Sequence, residues 1–287
     1  MSLLEDRDGN LWAGTWGHGL YRVAGGTVER WSGGDGLPDD FVRTLAEDSE
    51  GNLWIGMRSG GLGRWQQPRL VPYGTPEGLQ GNYATTAVMD PSGVLWLGTW
   101  RGGLYKQSGG RLDPQQTPLP VSRFTVRAMA FDRRGRPWIG NWEGLYEFDG
   151  TRFVHRAPAL SQPLLQVSAL HFDGQGRLWA GTDDRGLLVF EDGNPGSAPR
   201  NLTGPAKITA LMADSAGRVW IGTNRGFGYS DAGGQPAFHG RPELAGDSVK
   251  SIFEDSRRRI WVATASGTLL VISDGRSIEL DHRNGLP

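Results

Sequence analysis

The sequence predicts an all-β chain, a seven-bladed β-propeller of four-stranded antiparallel blades over residues 1–287 as one domain, on three observations. A tryptophan returns as Trp12, Trp54, Trp96, Trp138, Trp179, Trp220 and Trp261, at intervals of 42 and then 41 residues. Six positions before each stands an aspartate, Asp6, Asp48, Asp90, Asp132, Asp173, Asp214 and Asp255; two positions after the first six stands a glycine, replaced by Ala263 in the seventh. A period near 40 held from end to end marks a repeat architecture. A helical solenoid of similar period would need 3.6-residue periodicity over glycine-free stretches, which the sequence lacks.

Within one unit each strand has its own reason. Phe41 to Glu47 alternates, with Val42 and Leu45 as apolar anchors and small residues between them in every copy (Thr44, Thr86, Ala128, Ala169, Ala210, Ser251). Small residues suit a strand crowded by its counterparts, so this is read as the innermost strand. The aspartate then accepts backbone hydrogen bonds two residues on and a glycine supplies positive φ, closing a tight turn. Leu53 to Met57 is the second strand, its glycine read as admitting a neighbouring backbone. Gly61 to Trp65 is the third and Arg69 to Tyr73 the fourth. Four strands per unit is the composition of a propeller blade. The tryptophan is expected to wedge between adjacent blades, removing roughly 150–250 Å² of apolar surface from water. In the seventh unit the strands are expected at Ser251–Asp255, Ile260–Ala263, Leu269–Ser273 and Ser277–Asp281, so that no blade combines the two chain ends and closure rests on side-chain packing.

Composition agrees. Hydrophobic residues make up only 37% of the chain, beside 45 glycines and 17 prolines, which suits short strands joined by tight turns. A net charge of −1 leaves no basic footprint for nucleic acid and no polybasic membrane patch. Without cysteine there are no disulfides, thiol nucleophiles or thiolate metal sites. No cofactor or metal is expected: Asp6-Arg7-Asp8-Gly9-Asn10 has the outline of a calcium loop but lacks the glutamate at the twelfth position. No run approaches the ~18 apolar residues of a membrane span, and no signal peptide is visible. The chain opens part-way into a strand and closes on Asn284-Gly285-Leu286-Pro287, which restarts the linker seen at Asp35-Gly36-Leu37-Pro38. Both ends read as cuts in a longer protein.

The combination Gly36-Leu37-Pro38, Val42, Leu45, Asp48, Gly51-Asn52-Leu53-Trp54-Ile55-Gly56 and Gly60-Gly61-Leu62 resembles the two-component-regulator propeller repeat, and the resemblance covers all seven units. It departs in the seventh unit, at Arg258 and Ala263, and in the third, where Gly-Leu-Pro is Gly78-Leu79-Gln80. The resemblance implies the extracytoplasmic, periplasmic sensor region of a membrane-anchored bacterial hybrid histidine kinase or diguanylate cyclase. In such receptors two propellers commonly precede a β-sandwich, a transmembrane helix and an output domain. It also implies a polar small-molecule or oligosaccharide ligand.

Function on a repeat scaffold belongs where the copies differ. The variable segment is the hairpin between second and third strands: Trp16-Gly17-His18, Arg58-Ser59, Trp100-Arg101, Trp142-Glu143, Asp183-Asp184-Arg185, Asn224-Arg225 and Ala265-Ser266. It shares a blade face with the start of the innermost strand, where Arg43, Thr85, Arg127, Ser168, Thr209 and Lys250 stand. The candidate ligand residues are therefore Trp16, His18, Arg43, Arg58, Trp100, Arg101, Arg127, Trp142, Glu143, Asp183, Asp184, Arg185, Asn224, Arg225 and Lys250. Tryptophan faces cover the apolar side of a pyranose, and planar polar groups pair its hydroxyls. The alternative is that Trp16, Trp100 and Trp142 cap their own blades or meet a second propeller or a homodimer partner, since exposed aromatics mark interfaces too.

An enzymatic reading competes. The sialidase aspartate box has a shorter aspartate-to-glycine spacing and is structural. Streptogramin lyases are seven-bladed with related repeats and need a histidine with acidic partners and a metal. Here His18, His155, His171, His239 and His282 fall in different units, and only His18 belongs to the rim. No GxSxG elbow, P-loop or HExxH motif is present. No catalytic residue is assigned.

Overall fold

The computed structural model describes residues 1–66, 69–81, 83–108, 110–115, 124–156, 165–191, 193–231 and 237–280. These form seven four-stranded antiparallel blades, each drawn from contiguous chain with strands in sequence order: a seven-bladed β-propeller. The second blade comprises Val42–Glu47, Leu53–Met57, Leu62–Gln66 and Arg69–Tyr73. The seventh comprises Val249–Glu254, Ile260–Thr264, Leu269–Ser273 and Arg276–Leu280. Its first strand thus starts two residues before the expected Ser251, and Asp281 lies outside the described residues. The first blade takes all four strands, Ser2–Glu5, Leu11–Gly14, Leu20–Ala24 and Thr27–Trp31, from the start of the chain. Among the described residues the helical content is two single turns, Gly33–Asp35 and Thr75–Glu77, and no helix is long and apolar enough to cross a membrane.

The chain divides into two compact units. One holds residues 1–141 and 146–155, the other 142–145 and 156–287. Blades one to four lie in the first, apart from residues 142–145 and Arg156; blades five to seven lie in the second.

The repeat aspartate does more than close a turn. Asp48 Oδ1 accepts the backbone N–H groups of Glu50 (3.0 Å) and Asn52 (2.8 Å), while Oδ2 accepts the indole N–H of Trp54 at 2.8 Å. The indole bond recurs from Trp12, Trp96, Trp179, Trp220 and Trp261 to their own aspartates at 2.7–3.0 Å. A buried indole N–H needs a partner, and the carboxylate locks the turn to the wedge. Burial alone would raise the Asp48 carboxyl, but bonds from Asn52, Trp54 and Glu50 outweigh it and hold it below the usual carboxylate range. Asp6, Asp90, Asp132, Asp173 and Asp255 shift the same way for the same balance of causes.

In blades one to three and five to seven the wedge also carries a cation, placed by two different routes. In blades one to three it stands on the third strand directly opposite: Trp12 pairs with Arg22, Trp54 with Arg64 and Trp96 with Lys106. Those cations lie 5.6, 5.7 and 5.2 Å from the ring centroids. In blades five to seven Val189, Tyr229 and Val271 occupy that position. There the cation comes from two residues before the tryptophan, as Arg177, Arg218 and Arg259 at 5.6, 5.4 and 5.1 Å. Each of these arginines is also ion-paired to its blade's aspartate.

The glycine two positions after the tryptophan makes room for a side chain, not for the neighbouring backbone the sequence suggested. Gly98 pairs across the blade with Thr86 and Gly222 with Ala210, and each pair of small residues leaves a hole. The next blade's first strand fills it. A Cβ on Gly98 would come within 2.7 Å of Val126, and one on Gly222 within 2.6 Å of Val249. Gly181 with Ala169 receives Ile208 in the same way. Such holes explain the small residues between the anchors, and within each unit they clamp successive blades side by side. Trp54 completes one such interface, packing with Leu79, Ala84, Leu95 and Tyr105 of the third blade.

Candidate functional site

The site begins with a backbone irregularity that the copies share. In the second blade Val42 pairs with Met57 and Thr44 with Gly56, leaving Arg43 without a cross-strand partner. The same register shift leaves out Thr85, Ser168, Thr209 and Lys250 in blades three, five, six and seven. A bulge of this kind re-aims one side chain out of the alternation of the strand. It sits beside the variable hairpin because the first rim residue donates its N–H to the carbonyl just before the inner strand. Arg58 bonds Phe41, Trp100 bonds Tyr83, Asp183 bonds Gln166, Asn224 bonds Lys207 and Ala265 bonds Ser248, all at 2.8–3.0 Å. In the fourth blade Arg127 donates its N–H to the carbonyl of Gly140.

In blades one to three these positions carry aromatic rings and guanidinium groups that touch in series. Phe41 and Trp16 meet edge to face, centroids 5.3 Å apart. The Arg58 guanidinium lies 5.3 Å from Phe41 and 5.6 Å from Trp16. Arg43 lies 5.4 Å from both Trp16 and Tyr83 and donates to the Tyr83 hydroxyl at 3.2 Å. Tyr83 continues to Trp100 at 5.6 Å with a 34° tilt. The result is a ladder, Phe41–Arg58–Trp16–Arg43–Tyr83–Trp100, across three blades of one compact unit. Trp16 and Trp100 are nonetheless 51% and 42% exposed, among the largest apolar exposures of the described residues. Stacking on guanidinium groups holds the rings without covering them, each contact stabilising by about 0.5–1 kcal/mol at such exposed sites.

The ladder and its flank carry three arginines. Arg43, Arg58 and Arg101 make no ion pair among the described residues. The nearby carboxylates are engaged with backbone: Asp39 accepts N–H groups of Phe41 (3.1 Å) and Ser59 (2.5 Å), and Asp40 that of Gly33 (2.8 Å). Arg101 is exposed beside Trp100, held at a φ of 55° with its N–H donated to the Thr125 hydroxyl at 2.9 Å. His18 is exposed, and its carbonyl accepts from Arg30 at 3.0 Å. Arg127 is half-buried. The structure thus brings Trp16, Arg43, Arg58 and Trp100 together and leaves His18 outside the series of contacts.

The sequence-predicted residues of the second unit are arranged differently. Asp183 is ion-paired with Lys207 at 3.5 Å. Asp184, Asn224, Arg225 and Lys250 are exposed and Arg185 half-buried, its N–H bonded to Thr182 Oγ1 at 2.9 Å. Lys250 Nζ donates to Ser248 at 3.2 Å. Arg225 borders a shallow cavity of about 240 Å³ with Thr223, Phe227, Phe238 and Arg241. Trp142 and Glu143 are half-buried, so only two of the three expected rim tryptophans stand open to solvent. The Thr85 and Ser168 hydroxyls do not face the rim either; they donate to the carbonyls of Val126 and Ile208 in the next blade.

Two ladder residues escaped the sequence reading, Phe41 and Tyr83. They lie 42 residues apart at the end of the linker, where the other copies have Thr125, Gln166, Lys207 and Ser248. That column varies as much as the hairpin and would have found them. Of the five histidines His282 lies outside the described residues, and His171 is held largely from solvent, burial pushing its pKa down against the pull of Asp173. Among the described residues no three histidine, aspartate or glutamate side chains gather as metal ligands.

Comparison with known proteins places this geometry. The model of the two component regulator propeller matches residues 1–17, 36–59, 78–101, 202–225 and 243–266. Each matched segment ends in or beside a variable hairpin. No curated protein matches the sequence. Among solved structures, the extracellular domain of a protein described as a one component system from B. thetaiotaomicron aligns at 20% identity and TM-score 0.54, over 95% of this chain and 40% of that one. PorZ, a surface component of the type-IX secretion system of Porphyromonas gingivalis, aligns at 19% identity and TM-score 0.65, over 96% of this chain and 47% of that one. A catalytically inactive virginiamycin B lyase from Staphylococcus aureus, solved with quinupristin, aligns at 11% identity and TM-score 0.69, over 83% of each chain. At these identities the likeness is one of fold. The chain spans less than half the length of the B. thetaiotaomicron extracellular domain and of PorZ.

Proposed function

We propose that this chain, which carries two component regulator propeller repeats, is the ligand-recognition propeller of an extracytoplasmic sensor. It binds an oligosaccharide or a similar polar molecule on the loop face of blades one to three. In this reading the parent is a membrane-anchored receptor with a histidine kinase or diguanylate cyclase output, and the fragment itself carries no catalysis. The observation that carries the reading is the pair of exposed tryptophans, Trp16 and Trp100, held open on the guanidinium ladder. Flat apolar faces flanked by planar polar groups are what a pyranose requires, and an aromatic buried for packing alone would not be left half in water.

The same exposed rings favour one other reading, docking of a second propeller or a homodimer partner. A thermal-shift screen against oligosaccharides, run beside light scattering, separates the two. Ligand-dependent stabilisation of a monomer supports sensing. A dimer that Trp100→Ala dissociates, with no shift from any saccharide, supports docking and overturns the sensing reading. A lyase would instead turn over substrate and lose that activity with His18→Ala.

A further inference from the structure

We propose that the ligand of the ladder is an acidic saccharide, a sugar ring bearing a carboxylate or sulfate, whose oxyanion is taken by Arg43 and Arg58 while its ring stacks on Trp16 or Trp100. The proposal rests on the saccharide-sensing reading above and names the chemical class of that ligand.

This chain pairs the arginines two residues before its repeat tryptophans with acids. Arg136, Arg177, Arg218 and Arg259, all set two residues before a repeat tryptophan, are each ion-paired with the aspartate of their own blade. The rim arginines break that habit. Arg43 and Arg58 are stacked against aromatic faces as firmly, at 5.3–5.6 Å, yet no carboxylate meets either among the described residues. The acids that could have served, Asp39 and Asp40, are turned onto backbone N–H groups instead. Both therefore hold the loop that carries Phe41 and form no ion pair with either arginine among the described residues.

Geometry adds direction. Arg43 is a bulge residue, so its side chain is aimed out of the strand's alternation. Its one side-chain hydrogen bond is to the Tyr83 hydroxyl, which leaves most of the guanidinium's five donors for a ligand. A guanidinium with its plane fixed on a ring presents a fork that matches the paired oxygens of a carboxylate or sulfate, at lower entropic cost than a free side chain. Arg101, exposed beside Trp100 at the far end of the ladder and likewise without an ion pair, extends the positive strip. The strip gathers Arg43, Arg58 and Arg101, and Asp39 and Asp40 beside it bond backbone and not these arginines. Two guanidinium groups free of carboxylate partners suit an oxyanion better than a neutral hydroxyl, which gains less from a charged donor.

The test is titration calorimetry with size-matched probes: an oligogalacturonate, a sulfated heparin-type oligosaccharide, a neutral malto-oligosaccharide, and inorganic sulfate. At least one acidic saccharide is expected to bind at least tenfold more tightly than the neutral one, with affinity that falls as salt rises. Arg43→Gln and, separately, Arg58→Gln should each weaken that binding about ten- to a hundredfold, the loss of a charge-assisted fork, with the thermal midpoint of unfolding monitored as the folding control. If the neutral saccharide binds as tightly as the acidic ones and both variants bind like the parent, the proposal fails while the sensing reading stands. If no saccharide binds, both fail. If inorganic sulfate binds as tightly as the acidic saccharides, the rings contribute nothing and the saccharide class is wrong.

Discussion

Asp48 Oδ2 accepts the indole N–H of Trp54 at 2.8 Å while its other oxygen accepts the N–H groups of Glu50 and Asn52. One carboxylate therefore fixes a tight turn and orients the wedge that packs against the next blade. Asp48→Ala is expected to strand the buried indole donor and loosen the turn, costing about 2–3 kcal/mol. Urea unfolding measures it; a loss within 0.5 kcal/mol of zero, on the scale of a surface change, would show that the turn glycine and strand pairing suffice.

Arg258 sits at a φ of 60° where the other six copies have glycine between 72° and 86°. An L-residue in that region carries a strain of about 1–2 kcal/mol, part of which glycine's extra unfolded-state freedom offsets. Arg258→Gly should therefore stabilise the chain by about 0.5–1 kcal/mol in denaturant unfolding.

Gly222 and Ala210 form the hole that Val249 fills. Gly222→Ala should overpack it and destabilise by about 1–3 kcal/mol. Adding Val249→Ala should return part of that loss, because the new methyl then occupies the space the valine leaves. Strictly additive losses in the double variant would show that the two do not share one hole.

The two kinds of lowered pKa give stability a two-stage response to acid. His171 has a pKa below its ordinary 6.5 because burial disfavours the charged ring. The unfolded chain then binds the proton first, so stability present above pH 6.5 declines as pH falls below it. The repeat aspartates, lowered from 3.8, keep their contribution above that value and lose it only below. Thermal unfolding followed between pH 7.5 and 5 should show a decline that His171→Leu flattens, and a second decline below pH 4 that it does not touch.

Much of the fold was legible in the sequence because each blade repeats the same physical solution. Trp12 through Trp261, their aspartates and the small residue opposite each glycine vary together with the period, so seven weak signals added to one strong one. The two routes to the wedge cation were equally present, as Arg22, Arg64 and Lys106 in three copies and Arg177, Arg218 and Arg259 in three others. They become readable only once strand register shows that both positions reach the same ring. The site was legible only in part. The hairpin column pointed to Trp16, Arg58 and Trp100, but the bulge that re-aims Arg43 is a property of register, and Phe41 and Tyr83 enter from a linker that pairing alone brings to the hairpin. Nothing in the hairpin column separates the half-buried Trp142 from the exposed Trp16 and Trp100.

The account stands or falls on whether the exposed rings hold a ligand. Titration of the same neutral, uronate and sulfated oligosaccharides into the parent chain and into a Trp16→Ala/Trp100→Ala variant tests this most directly. At least one saccharide should bind the parent and bind the double variant at least about a hundredfold more weakly, two stacking losses of roughly 1.5–2 kcal/mol each, with cooperative thermal unfolding retained as the folding control. Equal binding by the two proteins, or no binding by the parent, would contradict it.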